Sequence, residues 1–284
     1  MSNLALRLLS AGILLPIVIT CFVLGGWYMT GLAIVAAAAS YFEFGAVVAK
    51  HDPVLRVALF VMGVAVTVIG IFVSGPVTAL LTLQLAFVVL SVLTVLRAGN
   101  DLPLVFKTLA GLVFSILWVA PGLISLVRLR DLGDVHTGTA TACYLMVCMV
   151  ATWANDTCAY FAGRFLGKHK MAGTISPKKT WEGFVGGAFG VVAFLVGGHL
   201  WFDMFAPLTW IDIAIVSLPI AVLGPIGDLV ESLWKRAYEI KDSGNLIPGH
   251  GGMLDRMDAI YFVGPWVLVY FVGLKPWLAT TFGW

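Results

Sequence analysis

Apolar residues fill most of the chain in long runs, which short polar or glycine- and proline-containing breaks separate. Nine of these runs approach the roughly 20 residues that a helix needs to cross a bilayer. The breaks include Gly25-Gly26 and Ser74-Gly75-Pro76, which are turn formers that interrupt helices. The pattern therefore predicts an all-α, polytopic membrane helical bundle of about nine transmembrane helices. The predicted spans are 5–24, 27–48, 55–73, 77–96, 104–127, 140–162, 184–204, 211–231 and 259–279.

The composition supports this prediction, because 60% of the residues are hydrophobic and the mean hydropathy is +0.99. These values exclude an ordinary soluble domain. The four cysteines lie inside apolar runs and form no C-x-x-C pair, so neither a disulfide framework nor a zinc site is predicted. The first run lacks a convincing small-residue cleavage site, and we expect it to be a retained span.

The positive charges are distributed unevenly between the two sides of the predicted bundle. Thirteen of the seventeen Lys and Arg residues fall in the connections after spans two, four, six and eight. The positive-inside rule predicts that these connections are cytoplasmic. We expect both chain termini on the outside, and an integral protein of the bacterial inner membrane. Residues 1–139 are predicted to be a transmembrane scaffold, and residues 140–284 a catalytic region with a cytoplasm-facing polar cavity and polar loops at 163–183 and 232–258.

Charged residues make up 11% of the chain, but eight of them crowd into residues 232–258. Where this segment begins, Asp228, Glu231, Ser232 and Lys235 are spaced i, i+3, i+4 and i+7, so they share one helix face. One interpretation is a solvated helix end with a Glu231–Lys235 ion pair. The other is a divalent cation held by Asp228, with Lys235 reaching a phosphate group.

Two further carboxylates, Asp255 and Asp258, open the last span at i, i+3 spacing. Magnesium usually takes one or two protein carboxylates together with waters and substrate phosphates. We therefore predict that Asp228, Asp255 and Asp258 hold Mg²⁺. Acids in a first helical turn can also simply complement the helix dipole.

The loops supply candidate phosphate contacts. Gly251 and Gly252 permit close approach of a backbone to a ligand, and His250 lies beside them. In the other loop, the Ser176-Pro177 pair predicts a helix that starts there with Ser176 as its N-cap. Two lysines, 178 and 179, would then oppose the helix dipole unless an anion binds, although attraction to acidic lipid is an alternative.

Two ionisable residues lie within predicted spans, where charge is costly and a functional role is the default. Asp156 follows Asn155 late in span six, and its expected partner is a cytoplasmic-side lysine or arginine, or the metal. Glu43 in span two is isolated, and the sequence assigns it no role.

The pattern S-x-x-K-R-x4-K-D-x5-P-G-H-G-G-x-x-D-R-x-D, from Ser232 to Asp258, resembles the signature of the phosphatidate cytidylyltransferases, also called CDP-diacylglycerol synthases. N-D-T-x-A-Y-x-x-G-R, from Asn155 to Arg164, and S-P-K-K-T-x-E-G, from Ser176 to Gly183, resemble the same family. The detailed likeness covers residues 150 to 260. A match at this many positions is far more specific than a short motif.

The resemblance implies that CTP and phosphatidic acid react to give CDP-diacylglycerol and pyrophosphate, that magnesium is required, and that the protein is a homodimer. A phosphomonoester, whose second pKa is ~6, is largely dianionic near neutral pH and can attack without a general base. Catalysis then reduces to alignment and charge neutralisation. On this basis Lys235, Arg236 and Arg256 would hold triphosphate or pyrophosphate, assisted by Ser232 and Lys241. The expected substrate contacts are Ser176, Lys178, Lys179, Asn155, Asp156, His250, Gly251 and Gly252.

Two other functions remain open from sequence. A secondary transporter also uses acids inside the membrane, although here the charges gather at one side of the bundle. A related enzyme could activate a different lipid phosphate, such as a diether. The predicted partners are CTP, phosphatidic acid and membrane lipid, and no nucleic-acid partner is predicted.

Overall fold

A computed structural model describes residues 3–73, 75–137 and 143–283. Within them, nine long helices follow one another, and each coincides with one predicted span. Eight of the nine are long and apolar enough to cross a membrane; the more polar α6 is not among those eight. The prediction of an all-α, polytopic membrane bundle is confirmed. The helices are α1 Asn3–Leu24, α2 Gly26–Val48, α3 Pro53–Phe72, α4 Pro76–Leu96, α5 Leu102–Thr137, α6 Cys143–Leu166, α7 Trp181–Trp201, α8 Trp210–Ala237 and α9 Leu254–Val269, which continues through a π-helical turn, Tyr270–Leu274, into α10 Lys275–Phe282.

The polar connections lie together on one face of the bundle, which we call the site face. Arg97, at the end of α4, pairs with Asp52 before α3, with Nε and Oδ2 2.5 Å apart. Lys107, near the start of α5, donates to the Ala237 carbonyl at the end of α8 over 2.6 Å. On the opposite face, the far face, Lys275 pairs with Asp212 at 2.7 Å.

The N-terminal end of α1 lies on the site face. Arg7 Nε donates to the Gly249 carbonyl over 2.9 Å, and Ser10 Oγ lies 2.9 Å from His250 Nδ1. The prediction that the N-terminus lies opposite the polar loops is therefore wrong. Nine helices that alternate in direction must begin and end on opposite faces, and the end near Lys275 lies on the far face. With Arg7 added to the thirteen, fourteen of the seventeen Lys and Arg residues belong to the site face.

The N-terminal helices pack directly against the helices that carry the polar residues. Phe44 of α2 contacts Trp118 of α5 and Trp234 of α8, with ring centroids 5.8 and 4.6 Å apart. Ser40 of α2 hydrogen-bonds the hydroxyl of Tyr261 in α9 over 2.7 Å. These residues are buried, so α2 fixes the positions of α8 and α9 through one shared core.

A glycine-lined contact holds α6 and α7 unusually close. A Cβ on Gly186 would collide with Ala162, and a Cβ on Gly187 would collide with Asn155. Small residues at helix interfaces in membranes let the backbones approach closely, so that van der Waals packing holds the pair together. The polar residues late in α6 are thereby set against α7 at fixed depth.

A short β-hairpin stands where the sequence predicts a helix start. Strand β1, Lys170–Ala172, pairs antiparallel with β2, Ser176–Thr180, and Ala172 lies opposite Ser176. The α7 helix begins only at Trp181, and Thr180 is its N-cap, accepting from the Gly183 amide over 3.2 Å. The predicted helix start at Ser176 is therefore wrong, because strand pairing overrides the local preference of Ser-Pro for a helix N-terminus. The two lysines lie in a strand, and the helix-dipole argument does not apply to them.

Two smaller features complete the described chain. A turn of 3-10 helix, Asp203–Phe205, precedes α8 on the far face. All four cysteines fall within the described ranges and all four are free thiols.

Candidate active site

The helix α8 contains Pro219 and Pro225, which interrupt its ladder of backbone hydrogen bonds, and neighbouring elements bond to its carbonyls there. Proline lacks the N–H that would bond four residues back, so Pro225 leaves the Ala221 carbonyl without its helical donor. Asn155 Nδ2 lies 3.4 Å from that carbonyl, and Lys179 Nζ donates to the Pro225 carbonyl over 2.9 Å. Asn155 is fully buried and is not among the residues that line the cavity, and in this structure it holds α8; the substrate contact predicted for it stays a prediction.

A cavity of about 680 Å³ opens beside this interruption, between α6, the hairpin, α7, α8 and α9. Its volume lies within the range of ordinary ligand sites, roughly 300–1,000 Å³. Both polar loops of the sequence contribute to it, which confirms that the C-terminal half holds a polar cavity. The polar lining residues are Asp156, Tyr160, Arg164, Ser176, Lys178, Lys179, Thr180, Asp228, Asp255 and Asp258.

Three carboxylates converge beside the cavity and form what we call the acidic cluster: Asp228 and Asp258, which line the cavity, and Glu231, which is buried next to them. Each places one oxygen within 4.8 Å of the other two. Asp228 and Glu231 come from successive turns of α8, and Asp258 comes from the first turns of α9. The sequence predicted that Asp228 and Asp258 meet, and the structure brings them together.

The acidic cluster fits a hard cation. Glu231 has a buried Oε1 for which the described residues supply no hydrogen-bond partner. A buried carboxylate oxygen without a partner is costly, and a bound cation would remove that cost. Carboxylate oxygens from two helix ends, with room for waters and phosphate beside them, are the ligands that magnesium prefers.

Lys235 and Asp255 form a second charged centre next to the acidic cluster. Lys235 Nζ lies 2.9 Å from Glu231 Oε2 and 2.7 Å from Asp255 Oδ1. The i,i+4 pair considered from sequence is thus present, and the same lysine ties α8 to α9. Asp255 Oδ2 accepts from the amide and hydroxyl of Ser243, over 3.1 and 2.9 Å, and from the Gly252 amide over 2.9 Å. Of the three predicted metal ligands, the structure brings Asp228 and Asp258 together, and the third member of the cluster is Glu231. A metal contact by Asp255 stays a prediction.

Basic side chains line the opposite wall of the cavity. Lys179 Nζ lies 2.9 Å from Asp228 Oδ2 and joins this wall to the acidic cluster. Arg164 donates to the Tyr160 hydroxyl over 2.8 Å, and Lys178 is exposed on β2 beside Ser176. One wall can thus bind phosphate oxygens directly, while the other can bind them through a cation.

Several predicted phosphate contacts lie at the edge of the site. Arg236 and Lys241 are exposed at the end of α8 and in the loop that follows. Arg256 is exposed, and its Nε donates to the His250 carbonyl over 3.0 Å. Ser232 lies one turn beyond Asp228 and approaches its Oδ1 at 3.4 Å. The direct contacts with triphosphate predicted for these side chains stay predictions.

The glycine-rich segment serves the shape of its own loop. Gly251 has a φ of +82°, a left-handed conformation that side chains rarely adopt. A Cβ on Gly252 would clash with the Ser243 hydroxyl and the Glu43 carboxylate. His250 faces Ser10 of α1. In this structure, the groups that lie close to these glycines are side chains of the protein itself.

Two residues at the site had no predicted functional role. Glu231 was considered only as an ion-pair partner, although its i,i+3 spacing from Asp228 could have marked it as a further carboxylate of the same face. Glu43 had no local signal, because its partners are about 200 positions away.

Comparison with known proteins agrees with the site. A model of the cytidylyltransferase family matches residues 5–274. The phosphatidate cytidylyltransferase of Bacillus subtilis (strain 168) is 44% identical over 124 residues, which are 44% of this chain and 45% of that protein's length. That of Staphylococcus aureus (strain COL) is 37% identical over 196 residues, 68% of this chain and 70% of that protein. The chain therefore belongs to the cytidylyltransferase family.

Proposed function

We propose that this protein transfers a cytidylyl group from CTP to phosphatidic acid, giving CDP-diacylglycerol and pyrophosphate, with Mg²⁺ as cofactor. The observation that carries the proposal is the cavity at the site face, where the acidic cluster faces a basic wall. Family membership and the names of the relatives support the choice of CTP and phosphatidic acid. The sequence motifs resemble the same family.

The proposed reaction joins a phosphate oxygen of phosphatidic acid to the α-phosphorus of CTP. The bond between the α-phosphorus and the bridging oxygen breaks, and pyrophosphate leaves with that electron pair. The attacking phosphate is largely dianionic near neutral pH, so no side chain has to remove a proton. The protein must instead align the two phosphates and balance their charge.

The basic wall and the acidic cluster would have different roles in this reaction. Lys179 and Arg164 would bind phosphate oxygens of the substrates on the basic wall. Asp228, Glu231 and Asp258 would hold Mg²⁺, which supplies charge neutralisation at the triphosphate when it is bound. Lys235 lies behind the acidic cluster and keeps the ends of α8 and α9 in register through its two ion pairs.

The location of the cavity suits a lipid substrate. It lies at the ends of membrane-spanning helices, where the phosphate of a leaflet lipid can enter while its acyl chains stay in the bilayer. Fourteen of seventeen Lys and Arg residues on the site face support a cytoplasmic orientation, where CTP is available. An inner-membrane location and the homodimer implied by the resemblance remain predictions.

The geometry gives less support to transport. A buried carboxylate of the far face, Asp212, has 2% of its side chain exposed, pairs with Lys275 and accepts from the Tyr270 hydroxyl over 2.7 Å. It is separated from the acidic cluster by the span of the bundle, so these acids do not form a continuous path. An enzyme for another lipid phosphate would use the same cavity, because a phosphate site does not contact the lipid tail.

One assay tests the proposal. Purified protein in detergent receives labelled CTP, Mg²⁺ and, separately, phosphatidic acid or other lipid phosphates. We expect pyrophosphate release that depends on phosphatidic acid, disappears with EDTA and returns with added Mg²⁺. A transporter would release none, and preference for another lipid phosphate would reassign the substrate.

A pair of variants tests the acidic cluster within that assay. Asp258→Asn should abolish turnover, because it removes one carboxylate of the cluster without changing side-chain size. Glu239→Gln, at an exposed acid of the same polar segment that is not a fixed position of the signature, should leave turnover measurable. Near-normal activity in Asp258→Asn would end the assignment of this cluster to magnesium.

A further inference from the structure

Glu43, in the N-terminal half of the chain, reaches the signature segment 232–258 from helix α2. It is 2% exposed, and its carboxylate contacts two backbone amides and one hydroxyl that lie about 200 positions later. Oε1 accepts from the Met253 amide over 2.8 Å. Oε2 accepts from the Leu254 amide over 3.1 Å and lies 3.0 Å from Ser243 Oγ. Met253 and Leu254 lie at the start of α9, and Ser243 lies in the loop that precedes it.

The start of α9 depends on this contact for its cap. The first amides of a helix have no partner within the helix and need acceptors from elsewhere. Met253, the N-cap residue, makes no capping hydrogen bond with its own side chain. Glu43 supplies the missing acceptors from another helix, and its negative charge lies at the positive end of the α9 dipole.

The contact extends to the site through Ser243. The hydroxyl of Ser243 lies 3.0 Å from Glu43 Oε2 and 2.9 Å from Asp255 Oδ2, so one side chain bridges the two carboxylates. Asp255 in turn holds Lys235, and one turn later along α9 Asp258 enters the acidic cluster. The position of the first turn of α9 therefore determines where both aspartates point.

We propose that Glu43 is a positioning residue for the cytidylyl-transfer site: it caps α9 from α2 and thereby orients Asp255 and Asp258. The inference rests on the proposed function for its effect on turnover, but not for its effect on the helix start. The fit leaves little freedom, since a Cβ on Gly252 would clash with the Glu43 carboxylate and one on Gly244 would come within 2.8 Å of its Oε1.

The test compares Glu43→Gln with Ser40→Ala. Ser40 lies one turn earlier on α2, is equally buried, and also hydrogen-bonds α9, through Tyr261. Ser40→Ala therefore removes a buried contact between the same two helices without touching the helix start. Glu43→Gln keeps the size of the side chain but replaces one acceptor oxygen with a donor that faces other donors.

Two measurements separate positioning from general stability. Hydrogen–deuterium exchange follows the amides of residues 252–257, and steady-state kinetics gives kcat and the KM for CTP. We expect Glu43→Gln to speed exchange in this segment and to lower kcat by about 10- to 100-fold, the usual effect of removing a group that orients a ligand residue. Ser40→Ala should change neither. Glu43→Asp, shorter by about one C–C bond of ~1.5 Å, should fall between them.

Three outcomes would overturn the proposal. The first is unchanged exchange at 252–257 in Glu43→Gln, and the second is an equal change in Ser40→Ala. The third is a normal kcat in Glu43→Gln together with an active wild-type protein. If the wild-type protein releases no pyrophosphate, the proposed function fails, and exchange alone still decides whether Glu43 caps α9. If Glu43→Gln does not fold, Ser243→Ala, which removes the bridge to Asp255, must give the loss of kcat.

Discussion

Replacing Lys235 by methionine would test the charge balance at the centre of the site. Lys235 is the cation that two nearly buried carboxylates share. Its side chain is 15% exposed, those of Glu231 and Asp255 are 2% and 9% exposed, and the two N–O distances are 2.9 and 2.7 Å. Methionine matches the length of the aliphatic stem and removes only the charge and the donors. The change therefore leaves two carboxylates close together without their common cation.

The expected loss of stability is large for a single substitution. Removing one partner of a buried ion pair costs about 3–5 kcal/mol, mainly because the remaining charge stays buried and uncompensated. Two carboxylates are left here, so we expect Lys235→Met to lose about 3–5 kcal/mol of unfolding free energy. Lys241→Met is the matched control, because Lys241 is exposed in the following loop, and exposed substitutions usually change stability by about 0.5 kcal/mol or less.

Unfolding by SDS in mixed micelles, followed by tryptophan fluorescence, would measure both variants. A second substitution, Glu231→Gln, should recover part of the loss in Lys235→Met, with a coupling energy of about 0.5–3 kcal/mol. If Lys235→Met unfolds like Lys241→Met, or if Glu231→Gln adds a further full loss, the two carboxylates do not depend on this lysine and the description of the site is refuted.

Two further changes test how other parts of the chain hold the site face and the far face. Gly252→Ala should destabilise the protein by about 1–3 kcal/mol and reduce turnover, because the added Cβ would overlap Ser243 and Glu43. Gly99→Ala is the control, since a Cβ there meets nothing within 4 Å. Equal unfolding free energy and equal turnover in the two variants would contradict the prediction. Arg130→Met should release the C-terminal end of α1, because the fully buried Arg130 donates to the carbonyls of Phe22 and Val23 over 2.6 and 2.8 Å. Hydrogen exchange in the last turn of α1 should rise more than in Arg128→Met, where one bond of 3.3 Å to Gly70 is lost, and no difference would argue against this docking.

The helices themselves could be predicted from sequence because their signal is local. An apolar run of sufficient length has to bond its own backbone in a membrane, and a helix does so within each turn. The stripe from Asp228 to Lys235 followed from the same periodicity, since residues three and four apart share a face. The motif from Ser232 to Asp258 predicts phosphate-transfer chemistry from residue types and spacing alone.

Periodicity within one segment does not predict which residues of separate elements contact each other. Ser176 had the local signals of a helix N-cap but forms a strand, because Lys170–Ala172 pairs with it. The count of positive charges in alternate connections predicts that Arg7 lies opposite the polar loops. Its hydrogen bond to the Gly249 carbonyl instead places the start of α1 on the site face.

The same limit applies at the site. Local sequence patterns were enough to predict a helical membrane bundle with a charged end in its C-terminal half. The tertiary structure decided that Glu231 joins Asp228 and Asp258, that Asp255 instead holds Lys235, and that Glu43 caps the helix carrying both aspartates. These partners are far apart along the chain. The hydrogen bond between Glu43 and the Leu254 amide forms only because packed helices bring the two residues together, and no local pattern in either segment predicts that contact.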